Sequence, residues 1–152
     1  IGEDFLYDYY YTIDMKQNLN TSEYKIDDNL EQYISLKHEL MKNRLIRNDV
    51  DVIYSNIDIS CYDYKLIDNE LEVIFNVLVS HQYDGCNFLS ESMQQVKLGF
   101  AFTNNKIIIN NYFEFNGPSS IDNLQYTDDT IEALVQLYEE ENNFYDSIFS
   151  TQ

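Results

Sequence analysis

The chain is poor in the residues from which several familiar sites are built. Its 152 residues include no Trp, one Pro, two Cys, two His and four Gly, and only nine Lys and Arg stand against 27 Asp and Glu. The resulting formal net charge of −18 argues against DNA or RNA binding, which needs a basic surface facing the phosphates. It argues equally against docking on anionic membranes. No apolar run approaches the ~20 residues that span a bilayer, and no signal-peptide pattern opens the sequence. The glycines at 2, 85, 99 and 117 never form GxGxxG or GxxxxGK(S/T), so phosphate-cradling loops are excluded. GxSxG, CxxC and HExxH are missing too, which removes the common serine-hydrolase and zinc signatures. No cofactor or metal is expected.

What is present suffices for a core. Apolar residues make up 44% of the chain and aromatics 15%, too much for disorder. No repeat or linker-like stretch divides residues 1–152, so a single domain is expected. Ile1 in place of Met suggests a processed or excised piece. Cys61 and Cys86 are too few for a disulfide framework. They are expected as one bridge or as two buried thiols, with Cys61 filling a strand core. After Lys106 there are only acids, so the C-terminal region is a negative surface.

Hydrophobic periodicity predicts a helix from Glu3 to about Lys16, with Phe5, Leu6, Tyr9, Tyr10 and Ile13 on one stripe. In the Tyr7–Tyr11 run, Tyr9 and Tyr10 pack inward and Tyr7 and Tyr11 line the flank. Asn18, Asn20, Thr21 and Ser22 break that helix. A second begins at a cap on Asp27 or Asp28 and runs to about Arg47, with Leu30, Tyr33, Ile34, Leu40, Met41 and Leu45 apolar and His38 solvated. The period then changes to two. Ile53, Ile57, Ile59 and Cys61 are expected on one face of a first strand. Leu71, Val73, Phe75, Val77 and Val79 mark a second, and Val96, Leu98, Phe100 and Phe102 a third. Ile107, Ile109 and Phe113 face inward on a fourth. Asp68-Asn69, the loop at Asp84–Asn87 and Asn104-Asn105 supply the turns. A last helix, capped at Thr127 or Asp128, carries Ile131, Leu134, Val135, Tyr138, Tyr145 and Ile148, with Glu139, Glu140 and Glu141 solvated. The fold class is α+β: N-terminal helices packed on a curved four-stranded antiparallel meander, with a C-terminal helix.

This order resembles the nuclear-transport-factor-2-like, or cystatin-like, fold. From about Leu30 to Tyr112 the chain is also similar to the domain that precedes the amidase domain in secreted proteins of Gram-positive bacteria. The likeness is carried by the charged helix Leu36–Arg47, the strand Val50–Cys61, the turn and strand at Asp68–Val73 and the hairpin Leu98–Ile109. The family's usual Trp before the last strand is replaced by Ile107 or Ile108. The resemblance implies a non-catalytic accessory or binding domain, extracellular or at the cell surface, whose partner is a protein or a cell-wall component. No catalytic residue carries over from it.

Other chemistry is thinly supported. His81 follows the inward series of the second strand, five residues before Cys86, which suggests a Cys–His pair. Asp27-Asp28 and Asp128-Asp129 lack the calcium-loop pattern and serve as helix caps. Fold analogy leaves open a small-molecule pocket enzyme, with a candidate pocket at His81, Tyr83, Tyr54 and Tyr62, near Asp58 and Asp63. Asp58 and Asp63 also share a face with Asn56 and Ser60, as on a solvated side. Two further alternatives stay open: an acidic immunity or inhibitor protein steering onto a basic partner, and a homodimer through an exposed sheet face.

Overall fold

A computed structural model describes residues 2–115 and 128–149. Helices α1 (Gly2–Asp14) and α2 (Asp28–Arg47) precede strands β1 (Val52–Ile67), β2 (Glu70–Tyr83), β3 (Ser90–Thr103) and β4 (Lys106–Phe115), and helix α3 (Asp128–Phe149) follows. The strands form one sheet in the order β1-β2-β3-β4, every pair antiparallel. This is the α+β meander expected from the pattern. The proposed cap Thr127 and the turn Asn116–Ser119 lie outside the described residues.

With few glycines, the chain makes its turns from Asp, Asn and Lys. Lys16 and Asp49 adopt positive φ just past α1 and α2. Behind them Gln17 N–H reaches Thr12 O, and Val50 N–H reaches Leu45 O, the bond pattern of a Schellman stop. Asn104 and Asn105 both have positive φ, as a two-residue type I′ hairpin needs. The α2 cap differs from expectation. Asp27 occupies the cap position without a side-chain bond. Its N–H goes instead to Ile109 O, while Ile109 N–H bonds Lys25 O, so the segment before α2 closes the free edge of β4.

The core lies between α1, α2 and the inner face of the sheet. Phe5, Leu6, Tyr9 and Ile13 of α1 and Leu30 and Ile34 of α2 meet Ile57, Val73, Phe75, Val77, Val79, Val96, Leu98, Phe100, Ile109 and Tyr112. Tyr7 is exposed and stacks on Tyr11, as a helix flank should.

Three register irregularities change the expected faces, because side chains alternate strictly with position. One at Ile53 turns that residue outward, and another falls at Tyr62. Cys61 keeps the inner parity opposite Phe75 but is exposed, since β1 has run out from under the helices. Both cysteines are free. Cys86 follows β2 at the opposite end, roughly 26 Å from the level of Cys61 at ~3.3 Å per residue. A third irregularity, beside Gly99 and Phe100, makes Asn110 the extra residue. Tyr112 therefore faces the core, while Phe113 pairs with Lys97 on the outer face.

Two polar residues also depart from expectation. His38 is 2% exposed, not solvated. It packs edge-on to Tyr9, and its Nε2 lies 2.7 Å from Thr12 Oγ1. That hydroxyl donates to Asp8 O at 2.5 Å, so the imidazole is the donor in the shared contact. The i, i+4 ridge Leu30–Ile34–His38–Lys42 is buried, whereas Met41 is exposed. Glu141 is the second departure. Only 23% of its side chain is exposed, in an ion pair with Arg44 at 2.8 Å. Further polar contacts, Asn43–Asn142 and Asn48–Tyr145, dock α3 on α2.

Burial, with Lys42 adding to it, lowers the His38 pKa from 6.5 to about 4. The ring is neutral in the folded state and protonates first in the unfolded chain. Its contribution is complete above pH 6.5 and fades as pH falls towards 4. Denaturant titrations should show a loss on the order of 3 kcal/mol across this window that His38→Gln lacks; parallel curves would refute the assignment. Separately, Asn105→Gly should raise stability by roughly 0.5–1 kcal/mol, since glycine carries positive φ without steric cost. A lowered thermal midpoint would contradict that reading of the turn.

Candidate functional site

Of the four residues expected to line a pocket, the structure brings two together. His81 and Tyr83 stack with ring centroids 5.7 Å apart and planes 16° from parallel. Tyr54 pairs with Gln82 and points to the outer face, where it is exposed. Tyr62 occupies the second irregularity of β1 and is also exposed. Asp58 is solvent-facing by plain alternation, whereas Asp63 shares that face only because the irregularity at Tyr62 shifts the register.

The partner that sequence reading missed is Asp14, at the end of α1. His81 Nδ1 lies 2.9 Å from Asp14 Oδ2, though off the line that a good hydrogen bond requires. Ser55 Oγ donates to the same oxygen at 2.6 Å. The residue types suggest a nucleophile triad, but the wiring does not. A serine nucleophile bonds the imidazole that removes its proton, whereas here Ser55 and His81 both converge on the carboxylate. The cluster ties the end of α1 to β1 and β2. Burial, then Asp14, raise the Tyr83 pKa, so the phenol stays protonated at neutral pH. Beside it a cleft of about 580 Å³ is lined by Leu45, Asp49, Val50, Asp51, Tyr83, Asp84 and Cys86.

A second pocket, of about 360 Å³, is bounded by Tyr9, Tyr10 and Ile13 of α1, Lys37, Met41 and Arg44 of α2, Gln94 of β3 and Glu114 of β4. Glu114 is its centre. The irregularity at Asn110 turns it inward with Tyr112, and its side chain is 10% exposed. It accepts from Gln94 Nε2 at 2.9 Å and from the Tyr112 hydroxyl, and pairs with Lys37 Nζ at 2.7 Å. Tyr10 donates to Gln94 Oε1 at 3.0 Å. The Tyr9 hydroxyl lies against Tyr112 and makes no well-formed hydrogen bond. Burial, then the charge of Glu114, push the Tyr9 and Tyr10 hydroxyls well above their usual range; for Tyr112, burial leads, followed by the neighbouring Tyr10. Tyr10 and Tyr112 act as donors here, not bases. An acid set between Phe113 and Phe115 in an apolar strand was the available sequence signal. Among the described residues, no three His, Cys, Asp or Glu side chains are grouped to hold a metal.

The third feature is a surface. The inner-face ladder continues beyond the start of α1 as Leu66–Leu71–Phe100–Ile109, followed by Phe102–Ile107. Gly2, the first described residue of α1, sits directly on Phe75 and Phe100, in that row. Past it, Tyr64 is 68% exposed, Leu66 65%, Phe102 44% and Ile107 39%. An apolar cleft of about 190 Å³ lies among Leu71, Phe100, Phe102 and Ile107.

If Glu114 organises its pocket, Glu114→Ala leaves Lys37, Tyr112 and Gln94 without their shared acceptor. Unfolding free energy should fall by about 3 kcal/mol, and Glu114→Gln should recover part of it. A loss below about 1 kcal/mol would show a solvated, dispensable pair. Compared with protein-family models, with curated proteins and with solved structures, the chain matches none.

Proposed function

We propose that the chain is a non-catalytic binding or accessory domain of an exported or cell-surface protein, as its resemblance to the domain preceding a secreted amidase implies. The observation that carries the reading is the exposed apolar row Tyr64, Leu66, Phe102 and Ile107 at the hairpin ends. Large apolar side chains held rigidly on a sheet and left in solvent mark a contact surface. The interior polar groups support the same reading. Asp14, His38 and Glu114 each tie elements of the fold together, which makes them parts of the scaffold. No described helix is long and apolar enough to cross a membrane. A second reading, an acidic inhibitor of a basic protein, is favoured by the net charge of −18.

Mapping the native gene product tests the first reading. An export signal upstream, with an enzyme or wall-anchoring domain in the same polypeptide, is the expected result. A short product retained in the cytoplasm and produced beside a basic toxin would reject it for the inhibitor reading.

A further inference from the structure

We infer that the pocket around Glu114 is a binding site for a small organic carboxylate, whose acid group meets Arg44 and Lys37 and whose apolar body lies against Ile13, Met41 and the rings of Tyr9 and Tyr10. The site lies between α1, α2 and the sheet, apart from the exposed row at the hairpin ends. It adds a small-molecule ligand to the domain.

At about 360 Å³, the pocket falls within the roughly 300–1,000 Å³ of small-molecule sites. Its walls come from α1, α2, β3 and β4, and Tyr9 and Ile13 among them are buried in the core. The shape is therefore set before a ligand enters, and little ordering entropy opposes binding. Met41 is the exposed part of the wall, an unbranched side chain that adapts to what it touches.

The hydrogen-bonding capacity left on the walls decides the ligand. Glu114 is spent: its Oε2 accepts from Gln94 Nε2 and pairs with Lys37 Nζ, and its Oε1 accepts from the Tyr112 hydroxyl. A cationic ligand would have to break that set. The Tyr10 hydroxyl is given to Gln94. What remains is donor capacity on Lys37 and Arg44, two turns apart on one face of α2. Arg44 directs Nε and Nη2 to Glu141 on α3. Its Nη1 has only the thioether of Met41, at 3.4 Å, a weak acceptor. Lys37 Nζ has one ion-pair partner, Glu114, and otherwise lies over the Tyr112 ring.

The described lining residues thus include two bases and one acid, in a chain of nine bases and 27 acids. Tyr9 and Tyr10 stay protonated and add no negative charge. The pocket reverses the sign of the chain locally. A carboxylate supplies the strong acceptor that Nη1 lacks, in a charge-assisted bond.

The test titrates the full chain with phenylacetate and with its neutral isostere phenylacetamide, followed by amide shifts in NMR. Phenylacetate should saturate with a Kd of about 1 mM, since the field of the whole chain opposes any anion. The shifted amides should be those of Tyr9–Ile13, Lys37–Arg44 and Gln94. Phenylacetamide should bind about tenfold more weakly or worse. Met41→Glu places a competing carboxylate beside Arg44 at an exposed position and should weaken phenylacetate binding about tenfold, whereas Met41→Gln should stay within about threefold. Both variants should keep the far-ultraviolet spectrum. Equal binding of the amide, shifts centred on Tyr64–Leu71 or on the cleft beside Tyr83, or indifference to Met41→Glu would overturn the inference. So would the absence of saturable shifts below about 20 mM. Export mapping reads a separate property, and its outcome does not decide this one.

Discussion

Everything in this fold depends on satisfying α1 on all sides. The helix lies between the sheet and α2, with Phe5, Leu6, Tyr9 and Ile13 buried. At roughly 2 kcal/mol for each such side chain, their burial is comparable to the whole stability of an ordinary domain. Its polar flank residues are buried or half-buried, and Asp8, Tyr10, Thr12 and Asp14 are each met from outside the helix. Asp8 accepts from Tyr24 before α2, Tyr10 donates to Gln94 on β3, Thr12 meets His38 on α2, and Asp14 meets Ser55 on β1 and His81 on β2. Apolar burial holds α1 in the core, and these contacts fix its rotation and register.

The same arrangement draws in residue types that are often used for chemistry. Ser55, His81 and Asp14 lie close together but are connected through the carboxylate, so the serine hydroxyl is directed to Asp14 and not to the imidazole. Glu114 is held by an ammonium, an amide and a phenol. Burial keeps the surrounding hydroxyls protonated. What either cluster offers is a fixed geometry.

Much of the architecture was legible from period alone. The shift from a 3.6-residue to a two-residue repeat near Val50, and the Asp-Asn and Asn-Asn turns, suffice to write the element order. Facing was less legible, because a single extra residue reverses every side chain beyond it. Phe113 and Tyr112 exchange roles for that reason, and Glu114, the centre of the better-enclosed pocket, was hidden by the same shift. His38 and Glu141 were misread for a different cause. A polar residue on a helix looks solvated until a second helix supplies its partner, and neither Thr12 nor Arg44 is close in sequence. Of the residues expected in a pocket, His81 and Tyr83 stack as neighbours two apart on one strand face, and Tyr83 alone of the four borders the cleft. Tyr54 and Tyr62 fall away because one points outward and the other sits on an irregular edge.

The two ends of the sheet are handled differently, and the difference bears on function. The edge of β4 is closed by Lys25–Asp27, and irregularities break the regular spacing of β1 at Ile53 and Tyr62, two devices that suppress strand-to-strand aggregation. The uncovered inner face beyond α1 has no such device of its own. A chain that blunts its edges while leaving Tyr64, Leu66, Phe102 and Ile107 in water would be exposed to self-association there, were it not for its charge. A net charge of −18 over the chain makes like copies repel one another, so the charge of the whole surface opposes the self-association that the apolar row invites.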